Sequence, residues 1–306
     1  MDLLIKHLTF LSTIYLAAVK KSGLFTPESF RASNEFLFGG LSFFVGIVVL
    51  INLYPPHDSC YSSKYHRRAL IFTIIYLYLD HSLDNPHLTS HEKKLLIEEI
   101  RSLMNGDSIQ KHRPIQNLYQ ELIAPLDDSS RMVIRNLFAV VVKSVEIQYQ
   151  DHSIEQYLEI SKEKGEWTIY TMYVSVTGKF IEKVDPIYQE LFKLGECVQL
   201  FDDLVDTSDD HRSGIKTIAT NHLETFGSLD RLEKHLRSEL KLFPPKLETV
   251  SQLMIWGLDY LILRSKHFSS KRKMVIRRRF RKNGMIFWKL PGIRHRLEKE
   301  FRDLME

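Results

Sequence analysis

The residues best suited to chemistry are five aspartates that crowd into little more than two helical turns. Asp202, Asp206 and Asp210 recur every four residues, so on a helix they would project from one face, with Asp203 beside them. Like charges at this spacing destabilise a helix by about 0.2–0.5 kcal/mol per pair unless a cation lies among them. Carboxylate oxygens suit a hard cation, first of all Mg²⁺. The pattern therefore predicts a magnesium site, with Asp209 interpreted as a solvated neighbour.

A second acidic pair lies at the C-terminal end of an apolar segment with several aromatic residues, much earlier in the chain. Asp80 and Asp84 lie four residues apart, directly before Pro86, which ends the helix pattern. Because protein-bound Mg²⁺ usually takes one or two carboxylates plus substrate phosphates, a second acidic site facing the first is what such a centre needs. The alternative interpretation of Asp80 and Asp84 is a helix end that points to solvent.

Cations and aromatic side chains near these two sites supply the remaining parts of a site for diphosphate. Cations bind phosphate oxygens, and aromatic walls exclude water and stabilise a carbocation. For the segment that begins at residue 162, a solvated charged turn followed by core aromatics is the alternative. The predicted substrate-binding residues are Arg67, Arg68, Lys162, Lys164, Arg212, Lys216, Tyr76, Trp167 and Tyr170.

Composition predicts an all-α protein with room for a sizeable core. Glycine and proline are sparse in the 306 residues, whereas Leu, Ile, Lys and Glu are abundant. The two cysteines, Cys60 and Cys197, are far apart and form no CxxC pattern, which excludes a disulfide framework and a zinc site and favours a reducing compartment.

Three regions are predicted: residues 1–60, a catalytic domain at 61–262, and a basic segment at 263–306. Within the first, residues 36–54 contain no charged side chain and are long enough to span a bilayer, so they are either a membrane anchor or a buried helix of the bundle. The net charge is only +4, and most of the excess base lies in the last quarter.

The basic C-terminal region combines the ArgArgArgPheArgLys run at residues 277–282 with the apolar insert at residues 285–288. This pattern is typical of an interfacial helix on an anionic membrane surface. Contact with nucleic acid and a solvated tail are the alternatives, and nucleic acid is the less expected partner.

Capping residues and a proline predict where the helices near the acidic sites begin. Ser153 is placed as an N-cap with Gln156 as its capping-box partner, and Pro186 opens the helix that carries the aspartate row. A long helix is predicted at residues 128–150.

Two motifs resemble those of the class I isoprenoid synthase superfamily. GlyGluCysValGlnLeuPheAspAspLeuValAsp, residues 195–206, resembles the second aspartate-rich motif of trans-prenyltransferases. AspHisSerLeuAspAsn, residues 80–85, resembles the DxxxD first motif of squalene and phytoene synthases and of the large bacterial type of class IB terpene synthase. The four-residue aspartate steps followed by Arg212 and Gly214 resemble the latter group. LysGluLysGlyGluTrpThr, residues 162–168, occupies the place of a Lys-Thr on a prenyltransferase pocket helix.

The resemblance covers roughly residues 61–220 and implies a helical bundle around a central apolar cavity. It implies ionisation of a linear prenyl diphosphate with Mg²⁺, catalytic roles for Asp80, Asp84, Asp202 and Asp206, and a substrate contact for Gln199. Of the seven aspartates named above, all except Asp209 would be metal ligands.

The sequence departs from ordinary chain-elongating enzymes, because the first site lacks their AspAsp pair and their upstream Gly-Gly-Lys-x-x-Arg element is missing. A terpene synthase or cyclase is therefore expected first, and a prenyltransferase or head-to-head condensing enzyme second. A non-catalytic helical protein that binds membranes or partners is the third hypothesis. The expected location is cytoplasmic, with membrane association and a homodimer left open.

Overall fold

The computed structural model describes residue 15 and residues 34–55, 63–83, 89–105, 113–148 and 151–283. This part of the chain is helical and contains no strand, which confirms the all-α class. The helices are α1 (Asn34–Leu53), α2 (Ser63–Leu83), α3 (Ser90–Asn105), α4 (Arg113–Ile123), α5 (Asp128–Ile147), α6 (Ile154–Thr177), α7 (Pro186–Ser213), α8 (Ile218–Phe226), α9 (Asp230–Leu240), a 3-10 turn (Pro245–Leu247), α10 (Glu248–Arg264) and α11 (Ser270–Asn283).

The chain divides into two compact units: a larger unit of residues 18–221, and a smaller unit of residues 1–17 and 222–306. The division at residues 60 and 262 inferred from the sequence concerns functional regions and stays a prediction.

Helix α6 is the centre of the larger unit, where it packs against α1, α2, α5 and α7. Its start is the predicted capping box: Ser153 Oγ accepts from the Gln156 amide, and the Gln156 side chain accepts from the Ser153 amide. At its end, Gly178 adopts a φ of 71°, a left-handed conformation that favours glycine. A mainly apolar and aromatic run fills the second half of the helix, so α6 is buried on several sides.

Helix α7 runs antiparallel to α6 and carries the aspartate row. Pro186 opens it as predicted, with the Asp185 carboxylate accepting from the amide of Ile187, and Gly214 ends it with a φ of 71°.

The backbones of α6 and α7 touch at Gly165 and Gly195. A Cβ built on Gly165 would lie 2.2 Å from the carbonyl oxygen of Gly195, and the reverse distance is also 2.2 Å. Because no side chain fits at such a distance, this approach requires glycine on both helices.

Helix α1 packs against α2 and α6, and its residues Phe44, Ile47, Leu50 and Ile51 are buried. In the part of the chain that the structure describes, no helix is both long enough and apolar enough to cross a membrane. The choice between a membrane anchor and a bundle helix for residues 36–54 stays a prediction.

In the smaller unit, α9, α10 and α11 are joined by buried ion pairs. Glu233 is fully buried and accepts hydrogen bonds from Arg237 Nε at 2.6 Å and from Arg272 Nη2 at 2.7 Å. Arg237 Nη2 also donates to Asp259 at 2.7 Å. One guanidinium therefore connects α9 to α10, and the other connects α9 to α11.

Candidate functional site

The contacts of α2 and α7 direct both helices towards the N-terminal end of α6. At the opposite end, Arg68 near the start of α2 lies against Gly178, with its Nη1 3.1 Å from where a Cβ would be. Because α2 begins at the C-terminal tip of α6 and packs against it, α2 runs back along α6. The C-terminal end of α2 is therefore directed away from that tip. Antiparallel α7 directs its C-terminal half the same way, since Asp203 meets Ser161.

The aspartate row of α7 divides into exposed and buried members. Asp202 and Asp206 are exposed, and Asp210 is half-buried. Asp203 is buried: its carboxylate accepts from Ser161 Oγ at 2.6 Å and from Gln199 Nε2 at 3.0 Å. Asp203 thus joins α6 to α7, while Asp202 and Asp206 present their carboxylates on the outer side.

A small cleft lies beside this junction, at the meeting point of α5, α6, α7 and the turn before α8. Four predicted site residues line it: Lys164, Gln199, Asp203 and Lys216. Its volume is about 30 Å³, the space of one or two water molecules. The cleft is therefore a polar pocket for a small group, much smaller than the 300–1,000 Å³ typical of drug-sized ligands.

The electrostatics of the cleft depend on the Asp203 carboxyl. Burial raises the pKa of Asp203, while the hydrogen bonds from Ser161 and Gln199 and the charge of Lys164 act in the opposite direction. Gln148 also lines the cleft, and its buried Oε1 has no hydrogen-bond partner. The cleft thus combines two ammonium groups, one buried carboxyl and one acceptor that lacks a donor.

Lys216 closes the cleft on one side. Its amide donates to the carbonyl oxygen of Gln148 at 3.1 Å, and its ammonium group binds the Asp151 carboxylate at 2.7 Å. The turn after α7 is thereby joined to the chain between α5 and α6.

The structure does not bring Arg67 and Arg68 to this cleft. Arg67 is exposed and donates from Nε to Glu121 at 2.5 Å, and Arg68 is buried at the far end of α6. Ser161 and Thr177 are 16 residues apart on α6, which corresponds to roughly 24 Å. A phosphate at the cleft would therefore meet lysines rather than these arginines.

Three aromatic residues predicted to wall a cavity belong to two separate clusters. Tyr76 stacks on Phe43, with ring centroids 4.7 Å apart. Trp167 and Tyr170 pack around Phe192 at 5.9 and 5.6 Å. The Tyr170 hydroxyl donates to the carbonyl oxygen of Ile181 at 2.6 Å, and burial raises the pKa of Tyr170 to about 12. These contacts are those of packed core residues.

The remaining predicted cations lie at the margins. Arg212 Nη2 pairs with Asp209 at 2.5 Å on an exposed surface, which agrees with the interpretation of Asp209 as solvated. Lys162 is half-buried on α6, where its charge acts on Glu166.

The sequence analysis missed a carboxyl pair, Glu166 with Glu196. The two side chains are hydrogen-bonded across α6 and α7, and burial together with Glu196 raises the pKa of Glu166 to about 7. Lys193 binds the other carboxylate, Glu196, at 2.9 Å. The available signal was a GlyGlu dipeptide in each helix, because each glutamate directly follows a glycine of the backbone contact.

The donor set for a metal ion is incomplete within the described residues. Asp202, Asp206 and Asp210 provide only oxygen donors, which suits Mg²⁺. In that part of the chain, however, no three His, Cys, Asp or Glu side chains form a group that could hold a metal ion. Asp84 and the side chain of Asp80 lie outside the described residues. The α7 carboxylates thus fit Mg²⁺ in type but do not form a complete donor set among the described residues.

Comparison with protein-family models, curated proteins and solved structures found no match to this chain.

Proposed function

We propose that the protein is a magnesium-dependent class I isoprenoid synthase that ionises a linear prenyl diphosphate to an allylic carbocation, as a terpene synthase or cyclase does. Its diphosphate site would lie at the shared end of α2 and α7. Asp80 and Asp84 would hold Mg²⁺ together with Asp202, Asp206 and Asp210. The metal would supply charge neutralisation for departing diphosphate.

The observation that carries this proposal is the common direction of α2 and α7 along α6. The two acidic motifs, roughly 120 residues apart in sequence, belong to helices that both pack against α6, and Lys164 of α6 lines a polar cleft. A site for diphosphate needs carboxylates for the metal and cations for the phosphate oxygens in one place.

The chain's own residues would have distinct roles in this site. Lys164 and Lys216 would bind phosphate oxygens, and Gln199 would orient Asp202, to which its Nε2 lies within 3.4 Å. Asp203 would act as a positioning residue, since its buried carboxyl holds Ser161 and Gln199.

The test is diphosphate release by the purified full chain. Geranyl, farnesyl and geranylgeranyl diphosphates would be supplied with Mg²⁺, each with and without isopentenyl diphosphate. We expect release from a single substrate and a hydrocarbon or alcohol product by gas chromatography. Release that requires isopentenyl diphosphate would instead indicate a prenyltransferase.

Single aspartate variants locate the site. Asp80→Ala and Asp202→Ala should each abolish turnover while circular dichroism stays unchanged. Asp209→Ala is the matched control from the same row and should retain turnover, because Asp209 is exposed and paired with Arg212. Full activity of Asp80→Ala or Asp202→Ala would contradict the proposed metal site.

The small volume of the cleft favours a second candidate function, that of a non-catalytic helical protein that binds membranes or partners. A prenyl chain needs far more room than about 30 Å³. Thermal unfolding separates the two functions: a synthase should be stabilised by Mg²⁺ with a bisphosphonate. An unchanged melting temperature together with no diphosphate release would favour the second candidate.

A further inference from the structure

Over residues 270–278, helix α11 in the smaller unit exposes most of its circumference. It packs against α10, and among its residues 270–278 only Ile276 is buried. A helix with so small a buried face has a large surface available for a partner.

The start of α11 is nevertheless held firmly. The amide of Ser269 donates to the Asp230 carboxylate at 3.0 Å, and the hydroxyl of Ser269 donates to the same group. Arg272 forms a bidentate ion pair with Glu233: its Nε lies 2.8 Å from Oε2 and its Nη2 lies 2.7 Å from Oε1. Since Arg272 and Ile276 lie on one side of α11, these contacts fix which side faces outwards.

The outward side carries an apolar pair between two cations. Lys271, Met274, Val275 and Arg278 follow the i, i+3, i+4, i+7 spacing of one helical face. Met274 is 47% exposed and Val275 is 41% exposed. Arg278 Nη2 lies 3.8 Å from Met274 Sδ, so the cation and the apolar side chain share this face.

The charge of α11 is of one sign. Its 14-residue sequence, SKRKMVIRRRFRKN, contains eight lysines and arginines and no acidic residue. Such a helix is attracted to any polyanion, either an anionic lipid surface or nucleic acid. The exposed apolar pair favours lipid, because phosphate contacts in nucleic acids are made by cationic and polar side chains, whereas interfacial helices bury apolar side chains beneath the headgroups.

We propose that α11 is a peripheral docking helix for anionic lipid surfaces, with Met274 and Val275 directed into the headgroup region and Lys271, Arg277 and Arg278 against lipid phosphates or carboxylates. This inference does not depend on the proposed catalytic function, because α11 contains none of the residues assigned to the diphosphate site. Lipid binding would locate the protein at a membrane without a spanning helix.

The experiment is co-sedimentation of the full chain with lipid vesicles. We expect binding to phosphatidylcholine vesicles that contain phosphatidylserine, weaker binding as salt rises, and little binding to phosphatidylcholine alone. Equal binding to both kinds of vesicle, or binding to neither, would overturn the proposal.

Paired variants test the two parts of the face. Each cation near an anionic surface strengthens partitioning onto the vesicles about fivefold, so Lys271→Gln with Arg278→Gln should weaken it about 25-fold. Met274→Ser with Val275→Ser should also weaken binding several-fold, although the net charge is unchanged. The matched control is Lys234→Gln with Lys241→Gln, two exposed cations of the same unit outside α11, which should lose less than threefold.

Two further outcomes would count against the proposal. An equal loss in the control pair would mean that only net charge matters. Tighter binding of a single-stranded or double-stranded RNA oligonucleotide, with Met274→Ser and Val275→Ser having no effect on vesicles, would assign the helix to nucleic acid instead. Circular dichroism and the melting temperature of each variant would verify that it is folded.

Discussion

In the smaller unit, buried Glu233 meets two guanidinium groups, from Arg237 and Arg272, whereas in the larger unit buried Asp203 meets the neutral donors Ser161 and Gln199. The first carboxylate is neutralised by its partners. Burial raises the pKa of the second, and the hydrogen bonds from Ser161 and Gln199 and the charge of Lys164 offset this rise only in part. Matched buried charges hold helices in register, while carboxyls with raised pKa values are typical of functional sites. The contrast therefore separates a structural network from a candidate site.

The largest expected effect comes from removing the central carboxylate of the smaller unit. Glu233→Gln leaves the guanidinium group of Arg272 without its carboxylate partner and leaves Arg237 with Asp259 alone, so unfolding should cost about 3–5 kcal/mol less than in the wild type. Urea denaturation measures this change. A loss below about 1 kcal/mol would show that the network does not stabilise the smaller unit.

The larger unit should depend more on backbone contact than on charge. Gly195→Ala places a methyl group 2.2 Å from the Gly165 carbonyl oxygen and should destabilise the fold by about 1–3 kcal/mol. Gly46→Ala is the matched control, since Gly46 is helical and exposed with no atom within 4 Å of the added Cβ. That variant should be neutral or more stable by up to about 1 kcal/mol. Equal effects of the two substitutions would contradict the close contact.

The pH dependence of stability should differ between the buried pair of Glu166 with Glu196 and an exposed glutamate of the same helix. The folded-state pKa of Glu166 is raised from 4.5 to about 7, so its contribution to stability is present below pH 4.5 and is lost as pH rises to 7. Glu166→Gln should flatten this fall in the urea midpoint. Glu159→Gln changes an exposed glutamate of the same helix and should keep the wild-type slope. An unchanged slope in Glu166→Gln would contradict proton sharing with Glu196.

The smallest effect on the free energy of unfolding is expected at an exposed ion pair. It gives the lower limit against which the buried pairs are compared. Lys143 binds Glu163 at 2.6 Å, but its side chain is 54% exposed. Lys143→Gln should therefore change the free energy of unfolding by no more than about 1 kcal/mol. The same urea series provides the measurement, and a loss as large as that of Glu233→Gln would remove the distinction between buried and exposed pairs.

Features that depend on neighbouring residues could be read from the sequence. The helical class, the Ser153 capping box and the start of α7 at Pro186 all follow from local patterns. Lys164, Gln199, Asp203 and Lys216 line one cleft and are among the predicted site residues, while their roles stay predictions.

Features that depend on the packing of distant helices could not be read in this way. Glu166 and Glu196 meet only because Gly165 and Gly195 fix the register of α6 against α7. Arg68 looked like a phosphate contact because of its charge, yet the direction of α2 places it at the other end of α6. Sequence spacing contains no information about either relation, since it describes one helix at a time.

The double attachment of Lys216 has a kinetic consequence. Separation of the turn following α7 from Gln148 and Asp151 would widen the cleft beyond the space of one or two waters. The Lys216 amide would then exchange its hydrogen with solvent during each opening, because its acceptor is the Gln148 carbonyl oxygen. Exchange at this one amide thus measures how often the entrance opens, and a bound anion that holds Lys216 in place would slow it.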